Sequence, residues 1–306
     1  MKRAVSADLP QKFIEGIRSA FGAEGARWLE RLPEITGEIE REWSLRIEKP
    51  FPNLSYHFVA PCVFKTGGEA VVKIGFPGER ATTFREVRML EFMDGDGICR
   101  LLRFDEKRLA LLLEKVTPGE NLKEVCGGSG GDARAVEIAI KVLRAFRREP
   151  PENIEFPAME KWFDVLKKAG KTGFAPEYVK KARRFFDELS AASERKTLLH
   201  GDFHHENILS AERAPFLAID PKGIIGDIGY DLSVFMVNHA RWLESAPDLS
   251  EKLDDAIRAF SEAFEIESQN LRKWIFAQSI LSAWWTFEEN SENWKNELAF
   301  TEIWKV

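Results

Sequence analysis

The apolar positions change period several times along the first 120 residues. Phe13, Ile14, Ile17 and Phe21, then Trp28, Leu29, Leu32, Ile35 and Ile39, recur at helical intervals and predict two amphipathic helices between residues 10 and 43. The period then shortens. "SYHFVAPCVF" and "EAVVKIG" are rich in β-branched and aromatic residues and flank the turn "KTGGE", which predicts a hairpin with Lys73 on its second strand. Helical spacing returns at Phe84, Val87, Leu90 and Glu91, with Pro77 near the start and Gly95 past the end, so Glu86 is expected on a helix that follows the lysine strand. "ICRLLRFD" and "RLALLLEKV" predict a second strand pair.

After "TPGENL" the helical period dominates to the C-terminus, which places a boundary near Thr117: a β-rich part over 1–116, with leading helices, and a helical part over 117–306. "GGSGGD" reads as a flexible loop before a helix from Asp132 to Arg148. Trp274, Trp284 and Trp285 fall in late helices, where packing accounts for them better than ligand stacking.

Composition narrows the class without naming a chemistry. The 306 residues, 44% hydrophobic, can bury a sizeable core. Forty-four Lys and Arg against 50 Asp and Glu give a net charge of −6, with no basic tract, so no nucleic-acid partner is expected and a small or cationic substrate fits. Cys62, Cys99 and Cys126 show no CxxC spacing, which suggests neither a disulfide framework nor a thiolate zinc site and reads as a reducing cytoplasm. The start lacks the apolar segment of a signal peptide, and no apolar run approaches the roughly 20 residues that span a bilayer, so no membrane partner is expected.

The chemistry sits in "LLHGDFHHENIL", residues 198–209, followed by "AIDPKG". A strand lysine and a helix glutamate, then H-x-D-x-x-x-x-N in a helical region, form an arrangement suited to phosphoryl transfer. Alone, the histidines of "HGDFHH" admit a second reading as a zinc hydrolase site, which would leave Lys73, Asn207 and Asp220 without a role. A binding protein that lacks catalysis is a third.

"HGDFHHEN" and "AIDPKG" resemble the aminoglycoside phosphotransferase family, and with "PFPNLSYHFVAP", "LLLEKVTPGENL" and "GDIGYDL" the likeness is greatest to its streptomycin and hydroxyurea resistance kinases, over roughly residues 40–240. The resemblance implies an α+β, protein-kinase-like bilobal fold: a small N-terminal lobe with an antiparallel sheet and a larger helical C-terminal lobe. It also implies ATP and Mg²⁺ as cofactors and a small-molecule hydroxyl as acceptor, streptomycin or a related aminocyclitol before a metabolic sugar or amino sugar.

Carried over residue by residue, the resemblance makes Asp202 the catalytic base, which takes the acceptor's proton, and Asn207 and Asp220 the oxygen ligands of Mg²⁺. Lys73 would meet the α- and β-phosphates, oriented by Glu86, and the backbone of Glu114 and Val116 would face adenine. Ser55 and Tyr56, with Asn53 and His57, stand where the family covers the nucleotide with a Ser-containing turn instead of G-x-G-x-x-G. Asp231, in "GYDL", matches a residue that braces the catalytic loop, and Glu206 stands where relatives often carry Gly. His204 and His205 are expected to serve loop packing or hydrogen bonding. Asp227, Glu288, Glu289 and Glu292 are acidic candidates for a cationic acceptor.

Overall fold

The computed structural model describes residues 9–170, 172–193, 195–289, 292–304 and 306. Its contacts divide the chain into two compact units, Met1–Thr117 and Pro118–Val306.

In the first unit, helix α1 (Gln11–Glu42) precedes a five-stranded sheet of β1 (Leu45–Ile47), β2 (Phe58–Phe64), β3 (Glu69–Ile74), β4 (Leu101–Asp105) and β5 (Ala110–Glu114), with α2 (Arg80–Met93) between β3 and β4. The strand order is β1-β2-β3-β5-β4 and every pairing is antiparallel. The two helices expected before the sheet are the two segments of α1, which break at Gly22, where φ is 54° and ψ −130°. Residues 55–57, read as strand, form a bend instead, and β2 begins at Phe58. The β2–β3 turn is closed by the Phe64 N–H donating to the Gly68 carbonyl (3.0 Å), and Gly67 and Gly68 take φ of 90° and 96°, which side chains with a Cβ resist.

Strand alternation explains how this unit is layered. Phe58, Ala60 and Cys62 on β2, with Ala70, Val72 and Ile74 on β3, pack in one core with Phe13, Ile17, Trp28, Leu32 and Ile39 of α1. Each of the larger buried aliphatic and Phe side chains among them stabilises the unit by about 1.5–3 kcal/mol. The α2 face that packs inward is Thr83, Glu86, Val87, Leu90 and Met93, rotated from the Phe84–Glu91 stripe read from sequence. Phe84 instead sits edge-on to Phe104 at 5.4 Å, beneath the Arg80 guanidinium.

The second unit opens with β6 (Pro118–Asn121) and the short α3 (Leu122–Val125), then α4 (Gly131–Phe146), α5 (Glu160–Phe163), α6 (Leu166–Ala169) and α7 (Pro176–Ala192). Four short strands follow: β7 (Thr197–Leu199), β8 (Ile208–Ala211), β9 (Phe216–Ala218) and β10 (Ile224–Gly226). Helices α8 (Gly229–Trp242), α9 (Leu249–Phe264), α10 (Ser268–Glu288) and α11 (Trp294–Phe300) complete it. Asn121 caps α3 with a full capping box: its side-chain oxygen accepts the Glu124 N–H, and the Glu124 carboxylate accepts the Asn121 N–H. α4 stops at Phe146, two residues short of expectation, where the chain turns extended at Arg147. Trp274 and Trp284 are core residues, and Trp285 is half-buried, edge-on to Trp162 at 6.0 Å.

Candidate active site

The first unit holds a buried ion pair. Because Val72 and Ile74 face α1, Lys73 points to the opposite side of the sheet, where α2 supplies Glu86, and the Lys73 ammonium lies 2.7 Å from the Glu86 carboxylate. Both residues are almost fully buried. Removing either partner of such a pair leaves a charge that water cannot reach, so the pair holds its geometry stiffly.

Beside it, the bend before β2 leaves Ser55 exposed and sets Tyr56 half-buried against Phe21 of α1, with ring centroids 5.5 Å apart. His57 accepts the Phe76 N–H through Nδ1 at 3.4 Å. At the end of β5, the Glu114 N–H donates to the Arg100 carbonyl (2.9 Å) and the Glu114 carboxylate accepts the Arg100 N–H (2.9 Å).

The second unit gathers the residues of "HGDFHHEN" and "AIDPKG" through two short ladders. β7 and β10 pair antiparallel with Leu199 opposite Ile224, so the chain leaving β7 and the chain entering β10 run side by side. The Lys222 N–H accordingly donates to the His200 carbonyl at 2.7 Å. Gly201 lies in this close pass with φ 83°, and a Cβ there would meet Lys222 Cβ at 3.0 Å and the Trp162 ring at 3.4 Å. β8 and β9 form the second ladder, with Ile208 opposite Ala218, and the Ile219 N–H donates to the Asn207 carbonyl at 3.0 Å. Asn207 and Asp220 thus flank the same end of one hairpin. Asp220 holds a left-handed backbone (φ 58°) directly before Pro221, a conformation that sterics disfavour and that is typical of strain kept at functional sites.

Asp231, in the first turn of α8, braces the loop. Its two carboxylate oxygens accept the His200 and Gly201 N–H groups, each at 2.8 Å. Burial pushes its carboxyl up to about 7, against the lowering effect of those two donors. His200 is fixed beside it. Its Nδ1 accepts the Asp202 N–H (3.2 Å), so Nε2 carries the proton and donates to the Ile219 carbonyl (2.9 Å). Burial brings His200 down to about 4, which keeps it neutral.

The other histidines also serve the scaffold. His205 is buried, stacks on Phe235 at 4.2 Å, and shares a hydrogen bond with His239 across 3.0 Å. Burial lowers both, His239 to about 4 and His205 well below its ordinary value, the neighbouring ring adding to the latter. His204 accepts the Glu206 N–H through Nδ1 at 3.3 Å. Glu206 turns outward to Lys123 of α3 (2.9 Å), whose hydrogen bond holds its carboxyl below the usual range.

What remains at the surface of the loop is oxygen-rich. The Asp202 carboxylate is partly exposed, and the Asn207 amide nitrogen donates to the Asp202 carbonyl (2.9 Å), which directs the amide oxygen away from that carbonyl. Asn207 and Asp220 therefore offer oxygen donors, the set a hard ion such as Mg²⁺ takes. Among the described residues no three His, Cys, Asp or Glu side chains cluster as metal ligands. The Lys222 ammonium lies 2.8 Å from Asp220 and 3.6 Å from Asp202. Sequence reasoning quoted this lysine without giving it a role. A cation two residues past Asp220, the expected metal ligand, was the available signal. Of the acidic candidates for an acceptor, Asp227 is engaged by Ser193 and the Gly229 N–H, both at 2.7 Å, whereas Glu288, Glu289 and Glu292 are exposed.

Comparison with known proteins gives this arrangement a context. Residues 53–290 match the family model described as aminoglycoside/hydroxyurea antibiotic resistance kinase. The hydroxyurea phosphotransferase of Kitasatospora aureofaciens is 29% identical over 293 residues, covering 92% of this chain and 81% of that protein. The streptomycin 6-kinase of Streptomyces griseus is 24% identical over 299 residues, covering 92% and 91%. Among solved structures, a thermostable mutant of aminoglycoside phosphotransferase APH(4)-Ia, in a ternary complex with ADP and hygromycin B, superposes with a TM-score of 0.60 at 11% identity, over 88% of this chain and 98% of that one. At that identity the likeness establishes the fold, which is protein-kinase-like. Among the described residues no helix is long and apolar enough to cross a membrane.

Proposed function

The chain belongs to the aminoglycoside/hydroxyurea antibiotic resistance kinase family, and from that premise we propose that it moves the γ-phosphate of ATP, with Mg²⁺, to a hydroxyl of a small molecule, streptomycin or a related aminocyclitol first. The observation that carries this reading is one loop and one hairpin that present Asp202, Asn207 and Asp220 together, braced from behind by Asp231.

Each residue then has a defined task. Asp202, partly exposed, accepts a hydrogen bond from the acceptor hydroxyl and takes its proton as the new bond to phosphorus forms. Asn207 and Asp220 hold the Mg²⁺, which when bound neutralises charge on the phosphates. Lys73, kept in one rotamer by Glu86, receives the α- and β-phosphates. The turn at Ser55 and Tyr56 covers the nucleotide, and the Glu114 carbonyl with the Val116 N–H meets the adenine edge. With both ring nitrogens of His200 engaged and His205 Nε2 bonded to His239, the site favours this over a histidine-ligated zinc hydrolase.

An ATP-consumption screen over streptomycin, other aminoglycosides, amino sugars and hydroxyurea tests the proposal. Hydroxyurea enters because the relative named for it shares more identity with this chain than the Streptomyces griseus streptomycin kinase does. Phosphorylation of streptomycin or another aminocyclitol is the expected result. Turnover with an amino sugar or hydroxyurea alone would move the acceptor and keep the chemistry, and no Mg²⁺-dependent nucleotide binding at all would remove the chemistry.

A further inference from the structure

We propose that Lys222 is a catalytic residue whose ammonium contacts the phosphoryl group in transit, an inference that rests on the phosphotransfer reading above. Its Nζ lies 2.8 Å from an Asp220 oxygen and 3.6 Å from an Asp202 oxygen, so one cation touches both the metal-binding carboxylate and the base. In the transfer those two carboxylates serve opposite ends of one event. The acceptor oxygen bonds to the γ-phosphorus while its proton passes to Asp202; the bond from that phosphorus to the bridging oxygen breaks, and its electron pair leaves with ADP. Lys222 keeps its proton throughout and donates hydrogen bonds to the oxygens on which charge collects.

The placement of this lysine is not a by-product of holding the loop together. Its main chain is already fixed by the N–H bond to the His200 carbonyl and by the close pass against Gly201, and the loop itself hangs on Asp231. The Lys222 side chain is 22% exposed and that of Asp220 33%, so water screens the ion pair and limits what it adds to stability. A head group that little stability depends on, delivered by a fixed stem to the meeting point of base and metal ligand, is suited to a mobile negative charge. Ammonium–phosphate hydrogen bonds are also shorter and stronger than neutral ones, and an oriented donor requires no solvent reorganisation as the charge develops.

Calorimetric titration of the full chain with Mg·ADP and with Mg·β,γ-imido-ATP tests this without an acceptor. In Lys222→Met, affinity for Mg·ADP should stay within about threefold of wild type, while affinity for the imido analogue should fall about ten- to a hundredfold. Lys222→Arg, which keeps the charge, should recover most of the difference between the two nucleotides, and it carries the comparison if the Met variant folds poorly. Equal weakening of both nucleotides would assign the lysine to the metal ligands or the fold and overturn the proposal, as would no weakening of either. Wild-type protein that binds neither nucleotide would sink the phosphotransfer reading and this inference together, whereas wild-type binding with an unchanged Met variant sinks this inference alone.

Discussion

Lys73 with Glu86, and Asp202 with Asp220, are two pairs of charged groups kept under opposite conditions. The first sits between a regular strand and a regular helix, with side chains 7% and 3% exposed. The second lies on irregular chain, with side chains 36% and 33% exposed and a positive φ at one of them. Opposite charges can be desolvated together because each satisfies the other, so the lysine is orientated by its partner. Two carboxylates cannot be treated that way. They stay near water beside the Lys222 ammonium, and what is buried around them is the neutral imidazoles of His200 and His205 and the Asp231 carboxyl with the two N–H groups it collects. Orientation in one region comes from a buried charge pair, in the other largely from main-chain groups held by one buried carboxyl.

The sharpest break of this comparison is Asp202→Ala. Turnover should fall about 10²–10⁴-fold with nucleotide affinity and unfolding free energy nearly unchanged, because a partly exposed carboxylate contributes chemistry more than stability. Steady-state kinetics beside urea unfolding check it, and a stable variant with full activity would remove Asp202 as the base. Glu86→Ala should do the reverse in the other region, lowering unfolding free energy by about 3–5 kcal/mol as Lys73 is left buried and unpaired. The double replacement Lys73→Met, Glu86→Leu should regain most of that stability without regaining ATP affinity. A loss under about 1 kcal/mol in the single variant would mean that water reaches the lysine.

Acid should act on the second region. His200 and His239, held near 4 against 6.5 for an unfolded chain, contribute fully above pH 6.5 and lose that contribution as the pH falls toward 4; His205 shifts in the same direction. Asp231 opposes them: with its carboxyl raised from 3.8 to about 7, its contribution is complete below 3.8 and is lost as the pH rises through 7. The histidines outnumber it, so this group of residues should favour the folded state less as the medium acidifies. Urea unfolding of His239→Gln removes one member and relieves part of the lowering at His205, which acts in the same direction. Relative to wild type, the variant should gain about 2 kcal/mol between pH 7.5 and 5. A gap that does not vary with pH would show that His239 titrates alike in both states.

The smallest effect belongs to the exposed Lys123–Glu206 pair, where Lys123→Ala should cost about 1 kcal/mol or less in thermal or urea unfolding. A larger loss would make the link from α3 to the Asp202 loop part of the rigid scaffold.

Most of the secondary structure was legible in the chain because its causes are local. The Gly67–Gly68 turn, the alternation along β2 and β3 and the run that becomes α2 each depend on residues within a few positions of one another. The rotated inward face of α2 is the exception that explains itself: hydrophobicity alone nominated Phe84 and could not foresee that Glu86 would be drawn inward by Lys73, 13 positions earlier and on another element.

The sequence by itself determined the types and order of the chemical groups, the strand that carries Lys73, the helix that carries Glu86, and the hairpin spacing of Asn207 and Asp220. Only the tertiary structure decided that Lys222 lies against Asp202, that His205 meets His239, and that Trp162 passes beside Gly201. The reason is one of range. Backbone sterics and side-chain period act over three or four residues, whereas these meetings join positions 20 to 39 apart and depend on ladder register and helix packing that no local pattern encodes.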